Sequence, residues 1–255
     1  MTQDIRPRPD PDTAPALARS ILEAFATAHR AGCDAAPVDA AAAYAVQAAV
    51  AARRGPVAGF KTARKPGQPQ IMAPIMAGDV IDSGTSMASL FGGPLGIELE
   101  LGLRIAAPLP DPDDQDFVKA LGGCVEPLAV IELVDTRLDG PAATDPLSKL
   151  ADAQINAALV IGPTLRGWDG GPLTGAMARM TAGEDTLLDG PATVPGGDAR
   201  ETLHALAAMI GGHCGGLKPG QIVITGSLHP LTYVAPGTPV DGWIDGCGTV
   251  SVRID

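Results

Sequence analysis

The sequence predicts an α+β fold in which a helical N-terminal segment precedes many short strands. Of its 255 residues 45% are hydrophobic but only 3% aromatic, so the core must be built from Ala, Val, Leu and Ile. The 32 glycines and 24 prolines indicate frequent turns, which favours short strands over a helical bundle. A chain of this length can bury a large core as one domain or two closely joined ones.

Two helices are predicted near the N-terminus. Between Pro15 and Ala31 the apolar residues form one helical stripe, made of Leu17, Ile21, Leu22, Phe25 and Ala28. Asp39 is expected to cap a second, alanine-rich helix that ends at Arg54, before Gly55-Pro56. This helical segment is therefore expected to end where the strands begin.

Strands and helices then interleave in an irregular order. The predicted strands are Val57–Thr62, Leu95–Ile105, Leu128–Asp135, Asn156–Gly162 and Gln221–Thr225. Further helices are expected around Asp113–Leu121 and Arg200–His213. The glycines of residues 215–220 follow a helix and do not open one after a strand, so they do not form a dinucleotide-binding motif.

Charge and composition limit the partners of the protein. The net charge of −11 disfavours nucleic acids and anionic membranes, since no basic patch offsets the repulsion. The cysteines lack any CxxC spacing, which is typical of buried thiols in a reducing compartment. The first residues lack the apolar region of a signal peptide, and no apolar run has membrane-spanning length. We therefore expect a cytoplasmic protein whose partners are small molecules and metal ions.

Two carboxylates share one face of the strand Leu95–Ile105. Glu98 and Glu100 are two residues apart in a regular alternation, so their side chains lie about 6.5–7 Å apart on the same side. Their oxygens could converge on one divalent cation, which would neutralise two charges beside a core. Two solvated glutamates on an exposed sheet face are the alternative.

A third carboxylate, Glu132, lies within the apolar strand Leu128–Asp135 and needs a partner there. It could form a buried ion pair with Arg137 or Arg104. It could equally be a third ligand beside the two other glutamates. Three carboxylates, with water in the remaining positions, suit Mg²⁺ or Mn²⁺ and leave room for a substrate.

Lys61 follows an apolar stretch, so a strand would carry its ammonium group into the interior. Buried lysines usually pair with a carboxylate or act on a substrate oxygen.

Four segments follow one another in a recognisable order and spacing: Gly59–Lys61, Ile97–Leu101, Val130–Leu138 and Gly220–Leu228. Together they resemble the 2-oxopent-4-enoate (2-hydroxypentadienoate) hydratases and the 4-oxalocrotonate decarboxylases, a branch of the fumarylacetoacetate hydrolase superfamily. The likeness extends from about Ala41 onward. It departs from the family pattern after Lys61, at Ala151-Asp152-Ala153 and at Gly78-Asp79, positions on the substrate side of the site.

The resemblance implies a mixed, strongly curved β roll with flanking helices. Residues 1–56 would then be a helical segment packed on the core, and residues 57–255 the metal-binding catalytic domain, together forming one structural unit. The resemblance further implies that Glu98, Glu100 and Glu132 bind Mg²⁺ or Mn²⁺ and that Lys61 lies near the substrate's oxygen atoms.

Four further residues are candidates for the substrate side. Ser227 and Leu228, in the family's Thr-Gly-Ser-Leu turn, are expected to contact the substrate. His229 follows this turn and titrates near neutrality, so it is either a proton donor or acceptor or a surface turn histidine. Asp79 is either a proton shuttle or a plain turn residue.

The activity that the resemblance implies first is a lyase of aromatic catabolism. A 2-hydroxy-2,4-dienoate would be ketonised and hydrated to a 4-hydroxy-2-oxo acid, with Lys61 stabilising the oxyanion. The alternatives are decarboxylation of 4-oxalocrotonate-like 2-oxo-3-enedioates, then C–C hydrolysis of an acylpyruvate, then a non-catalytic binder of oxo acids. A homo-oligomer is expected, with a paralogous decarboxylase or hydratase as a further potential partner.

Overall fold

The computed structural model describes residues 13–33, 35–64 and 67–255. Its helices are α1 (Thr13–Thr27), α2 (Ala40–Arg54), α3 (Phe117–Ala120), α4 (Pro146–Ala151) and α5 (Ala199–Ile210). Its strands are β1 (Val57–Ala63), β2 (Ile71–Met76), β3 (Val80–Asp82), β4 (Thr85–Met87), β5 (Leu95–Ile105), β6 (Val125–Val134), β7 (Asn156–Thr164), β8 (Gly175–Ala182), β9 (Asp185–Thr193), β10 (Ile222–Ser227), β11 (Thr232–Val234), β12 (Pro239–Ile244) and β13 (Gly248–Ile254). Among these described residues, no helix combines the length and apolar character needed to cross a bilayer.

The strands form two mixed sheets. In the eight-stranded sheet the order is β2-β1-β10-β5-β6-β7-β3, with β11 also pairing with β5, and this sheet curls strongly into a half barrel. The five-stranded sheet has the order β4-β13-β12-β8-β9. Most neighbours are antiparallel, whereas β1–β10, β3–β7 and β4–β13 are parallel. The α+β prediction with a curved roll is confirmed.

The main core lies between the two sheets. Alternate residues of β5 (Leu95, Ile97, Leu99, Leu101 and Leu103) belong to this core, together with α5 and the inner face of the smaller sheet. Because side chains alternate along a strand, Glu98 and Glu100 lie on the opposite face of β5. The core thus fixes which face of the large sheet carries the carboxylates.

The N-terminal helices pack over a smaller core. Leu17 and Ile21 of α1 and Val46 of α2 contact Leu138 and Leu150 in a buried cluster. Asp39 caps α2 as predicted, since its Oδ1 accepts the backbone N–H of Ala42 at 2.8 Å. The division of the chain at residue 56 stays a prediction.

Several predicted elements have different bounds. The helix expected at Asp113–Leu121 begins only at Phe117 and continues as a 3-10 turn, Leu121–Gly123. The residues before it form turns in which Asp111 and Asp114 accept the backbone N–H groups of Asp113 and Asp116. The strand expected from Leu128 already begins at Val125, which pairs with Ile105 at the end of β5.

Gly59 brings β1 close to β10. It pairs with Ile222, and a Cβ atom at this position would lie 2.0 Å from the Ile222 carbonyl oxygen. Only glycine therefore allows this parallel pairing, which also places Lys61 beside Ile224. The register of Lys61 depends on this close approach.

We expect Gly59→Ala to lower the free energy of unfolding by about 1–3 kcal/mol, because β1 must shift away from β10. Urea denaturation measures this loss. Gly78→Ala is the matched control, since its Cβ would meet no atom within 4 Å, and it should change stability by less than about 0.5 kcal/mol. Equal losses in the two variants would contradict the close approach.

Candidate functional site

Three glutamates converge on one face of the large sheet. Glu98 on β5 is directly opposite Glu132 on β6, and Glu100 follows two residues along the same face. One carboxylate oxygen from each residue lies within 4.8 Å of the other two. Glu100 is 2% exposed and Glu132 is 0% exposed, while Glu98 is half-buried. The structure thus brings the three sequence candidates together in a partly enclosed position.

Lys61 and Asn156 are the partners of Glu132. The Lys61 Nζ lies 2.7 Å from Oε1 and 2.8 Å from Oε2 of Glu132, and it donates to the Gln154 carbonyl oxygen at 3.2 Å. The Asn156 Nδ2 donates to Glu132 Oε1 at 2.7 Å. Neither arginine considered from the sequence pairs with Glu132, and Arg137 pairs with Asp152 instead.

The charges in this cluster shift two pKa values. Burial, followed by the charges of Glu132 and Glu98, raises the pKa of Glu100 well above its ordinary value, although Lys61 and the N–H of Gly226 oppose this. Burial favours a lower pKa for Lys61, but the three glutamates outweigh it and the pKa of Lys61 is raised. Lys61 is therefore charged at neutral pH, and negative charge exceeds positive charge in the cluster.

This donor set fits a divalent cation. All three groups offer hard carboxylate oxygens, the ligands that Mg²⁺ and Mn²⁺ prefer. A charge of +2 together with Lys61 would balance the three ionised carboxylates. Burial is the main cause of the raised pKa of Glu100, and the charges of Glu132 and Glu98 add to it, so a bound cation would favour the ionised carboxylate.

The cluster opens into a cavity of about 540 Å³, a size typical of small-molecule sites. Apolar residues line part of its wall: Ala63, Ile71, Val134, Ile155, Pro195, Pro230 and Leu231. Two further cations, Arg64 and Lys149, also line it, as do Gln154 and Ser227. The cavity therefore combines the cluster of three glutamates, which could hold a metal ion, with cationic groups suited to an acidic ligand.

The structure places Asp79 elsewhere. It accepts two hydrogen bonds from Arg54, of 2.6 and 2.9 Å, in a turn that precedes β3. It lines cavities near Phe25 and not the one around the glutamates. The role of proton shuttle is therefore corrected: Asp79 is a partner of Arg54 that ties α2 to this turn.

His229 is buried and both of its ring nitrogens are engaged. Its Nδ1 lies 2.7 Å from the Pro230 carbonyl oxygen, which can only accept, so we assign the proton to Nδ1. Its Nε2 then accepts the N–H of Leu99 at 3.3 Å. Burial lowers the pKa of His229, although the Pro230 contact opposes this. His229 lines the cavity around the glutamates, and its burial shows that the surface-turn interpretation is wrong. With both nitrogens engaged it holds the backbone of β5, and its acid–base role stays a prediction.

The Ser227–Leu228 turn contributes one residue to the cavity. Ser227 lines it, and its Oγ donates to the Leu99 carbonyl oxygen at 3.4 Å. Leu228 donates its N–H to the same oxygen at 2.8 Å and buries its side chain in the main core. Leu228 is therefore corrected to a core residue, whereas Ser227 remains a candidate for substrate contact.

Two groups that contact the cluster were not singled out from the sequence. From the sequence, Asn156 was expected only as part of a strand, and no motif or pattern pointed to Gln154 as a site residue. Both contact the cluster because the chain turns sharply between α4 and β7.

No protein-family model matches this sequence. Over 98% of its length the chain is similar to the whole of the 4-oxalocrotonate decarboxylase from Pseudomonas putida G7, with a TM-score of 0.80 and 20% identity. That enzyme was solved with calcium and acetate and with magnesium and adipate. The fumarylpyruvate hydrolase from Pseudomonas aeruginosa, in complex with Mn²⁺ and pyruvate, matches 76% of this chain and 88% of its own, with a TM-score of 0.57 and 16% identity. A 2-hydroxyhepta-2,4-diene-1,7-dioate isomerase from Mycobacterium marinum matches 78% and 75%, with a TM-score of 0.57 and 13% identity.

These similarities define the class of fold. The chain shares its mixed α+β fold with these proteins, and this is the fold that the sequence resemblance implied. The decarboxylase matches nearly the whole length of the chain, whereas the hydrolase and the isomerase match about three quarters of it. At these identities the likeness is one of fold.

We expect Mn²⁺ to raise the melting temperature, and to do so more at about pH 8 than at about pH 5.5. Without metal, burial and the neighbouring carboxylates raise the pKa of Glu100, so the folded protein retains a proton that the unfolded chain has released. Stability therefore falls as the pH rises above the ordinary glutamate pKa, and a bound cation removes this loss. Thermal unfolding with and without Mn²⁺ at both pH values measures the difference.

Glu100→Gln should abolish the Mn²⁺ effect and weaken the pH dependence. Glu126→Gln is the matched control, since Glu126 lies on the same strand as Glu132 but is exposed. A Glu100→Gln protein that Mn²⁺ stabilises as strongly as the original would count against the metal site.

Proposed function

We propose that the protein is a divalent-metal-dependent lyase that acts on an unsaturated 2-oxo acid. The observation that carries the proposal is the convergence of Glu98, Glu100 and Glu132 beside Lys61 in a cavity of small-molecule size. Neighbours of the same fold support it, since they were solved with magnesium and adipate or with Mn²⁺ and the 2-oxo acid pyruvate. Mg²⁺ or Mn²⁺ is the expected cofactor.

The glutamates and Lys61 would have different roles in the reaction. The three glutamates would hold the ion, which when bound supplies a Lewis acid for the carboxylate and 2-oxo oxygens of a substrate. Lys61 keeps its proton because the glutamates raise its pKa, so it acts as a positive charge and not as a base. Its role would be to stabilise negative charge that develops on the 2-oxo oxygen.

Among lyase reactions, we propose decarboxylation of a 2-oxo-3-enedioate. The bond to the distal carboxylate breaks, its electron pair moves along the conjugated chain to the 2-oxo oxygen, and CO₂ leaves. This step needs a charge at the oxygen but no base. Hydration needs a group that moves a proton to and from water. Asp79 pairs with Arg54 outside this cavity, and both ring nitrogens of His229 are already hydrogen-bonded, which favours the reaction that needs no base.

The cationic part of the cavity supports a substrate with two carboxylates. Arg64 is exposed and Lys149 is half-buried, and both line the cavity that contains the glutamates. A distal carboxylate could pair with them while the 2-oxo acid end occupies the metal cluster. Similarity to a 4-oxalocrotonate decarboxylase over 98% of the chain points to the same substrate class.

Hydration of a 2-hydroxy-2,4-dienoate, the reaction placed first from the sequence, is the alternative that the assay below distinguishes. The homo-oligomeric state, an association with a paralogous hydratase or decarboxylase, and a cytoplasmic location stay predictions of the sequence.

We expect the purified protein with Mg²⁺ or Mn²⁺ to release CO₂ from 4-oxalocrotonate. Lys61→Met should lower kcat by roughly 100-fold or more, because it removes the charge next to the developing oxyanion. Lys149→Met should mainly raise KM, because this residue would bind only the distal carboxylate. CO₂ release and the ultraviolet absorbance of the substrate measure both effects, with circular dichroism to confirm folding.

Other results would assign another function. Conversion of 2-hydroxypentadienoate to a 4-hydroxy-2-oxo acid without CO₂ release would identify a hydratase. Cleavage of an acylpyruvate alone would identify a hydrolase, and saturable binding without any product would identify a binder of oxo acids.

A further inference from the structure

A left-handed turn links α4 to the strand that carries Asn156. Ala153, Gln154 and Ile155 have φ angles of 49°, 51° and 57°, and none of them is glycine. L-amino acids rarely adopt this conformation, and three in succession are rarer still. Such strain persists only where the surrounding contacts over-determine the backbone, and it clusters at functional sites.

Arg137 clamps both ends of this turn. Its Nη2 donates to the carbonyl oxygen of Asp152, before the turn, and its Nη1 donates to that of Asn156, after it. Its Nε also donates to Asp152 Oδ1 at 2.6 Å. Arg137 is 3% exposed and Asp152 is 1% exposed, so this is a buried ion pair that water does not screen.

Two groups at this turn form hydrogen bonds with Lys61 and with the glutamate cluster. The Gln154 carbonyl oxygen accepts from Lys61 Nζ at 3.2 Å. The Asn156 Nδ2 donates to Glu132 Oε1 at 2.7 Å. Arg137 itself does not line the cavity around the glutamates. Arg137 therefore acts on the cluster through the backbone: through this turn, and through the Asp135 carbonyl oxygen after β6, to which its Nη1 donates at 3.0 Å.

We propose that Arg137 is a positioning residue: by holding the left-handed turn at residues 153–155, it fixes Asn156 against Glu132 and the Gln154 carbonyl against Lys61. The inference rests on the proposed metal site. A partner that hydrogen-bonds a metal ligand sets the orientation of that ligand, and its loss typically weakens metal binding by about 10- to 100-fold.

The chain offers a matched control for Arg137. Arg54 is also paired with an aspartate, Asp79, and both guanidinium groups lie over the same Phe25 ring, at 3.8 Å for Arg54 and 5.4 Å for Arg137. Only Arg137 bonds to the backbone of the turn. A loss of metal affinity that is confined to Arg137 variants would therefore separate positioning from general stability.

The test is Mn²⁺ binding to the full chain, measured by titration with electron paramagnetic resonance at a temperature where circular dichroism shows each protein folded. We expect Arg137→Lys to keep the charge opposite Asp152 but to lose the hydrogen bonds to the two ends of the turn. This variant should bind Mn²⁺ at least about tenfold more weakly than the original protein. Arg54→Lys should bind within about twofold of the original protein. The spectrum of the bound Mn²⁺ should also change in Arg137→Lys and not in Arg54→Lys.

Asn156→Ser is the second variant, and it decides the matter if Arg137→Lys does not fold. It shortens the side chain that bonds Glu132 while leaving the clamp in place, and it should also weaken Mn²⁺ binding by about tenfold. If the original protein binds no Mn²⁺, the proposed function is wrong. If the original protein binds Mn²⁺ and the folded variants bind it equally well, the positioning inference is wrong.

Discussion

The site depends on three carboxylates, two of them buried, that lie beside the ammonium group of Lys61. Glu100 and Glu132 are almost inaccessible to water, and the residue opposite Glu100 on β6 is Val130, which belongs to an apolar cluster. Carboxylates in such surroundings are costly unless hydrogen bonds or opposite charges compensate them. Lys61 and Asn156 compensate Glu132, and the N–H of Gly226 compensates Glu100 only in part, since its pKa remains raised. A divalent cation bound between the three glutamates would complete this balance.

The register of the strands fixes the positions of these charged side chains. Leu99 and Leu101 bury one face of β5 in the main core, so a slip of one residue would exchange leucines for glutamates on that face. The same register places Glu98 across from Glu132, and the close approach at Gly59 brings Lys61 to the site from a third strand. β5 pairs with both β10 and β11. Between these two pairings the imidazole of His229 accepts the N–H of Leu99, so it helps to hold β5 in place. The site is thus a product of sheet geometry rather than of flexible loops.

Local patterns predicted those features of the protein that depend on neighbours along the chain. The bounds of β5 and the cap at Asp39 follow from alternation and from helix-end chemistry, and both were predicted correctly. Of the two interpretations of Asp79, the structure fits the turn residue, but nothing in the sequence shows that α2 brings Arg54 to it. Asn156 and Gln154 escaped notice because a left-handed turn of three non-glycine residues has no signal of its own. Long-range contacts, above all those of Arg137, create that turn, so periodicity could not reveal it.

The balance of charge also bears on the chemistry. Lys61 is bonded to Glu132, and its ammonium group contacts both oxygens of that carboxylate. Without a metal ion, this contact would leave Lys61 little charge to offer a substrate. If a divalent ion shared Glu132, the same ammonium could interact with an incoming oxyanion without leaving this carboxylate uncompensated. Metal binding and the availability of Lys61 would therefore be coupled through one carboxylate. The orientation of that carboxylate, which Asn156 helps to set, matters for both.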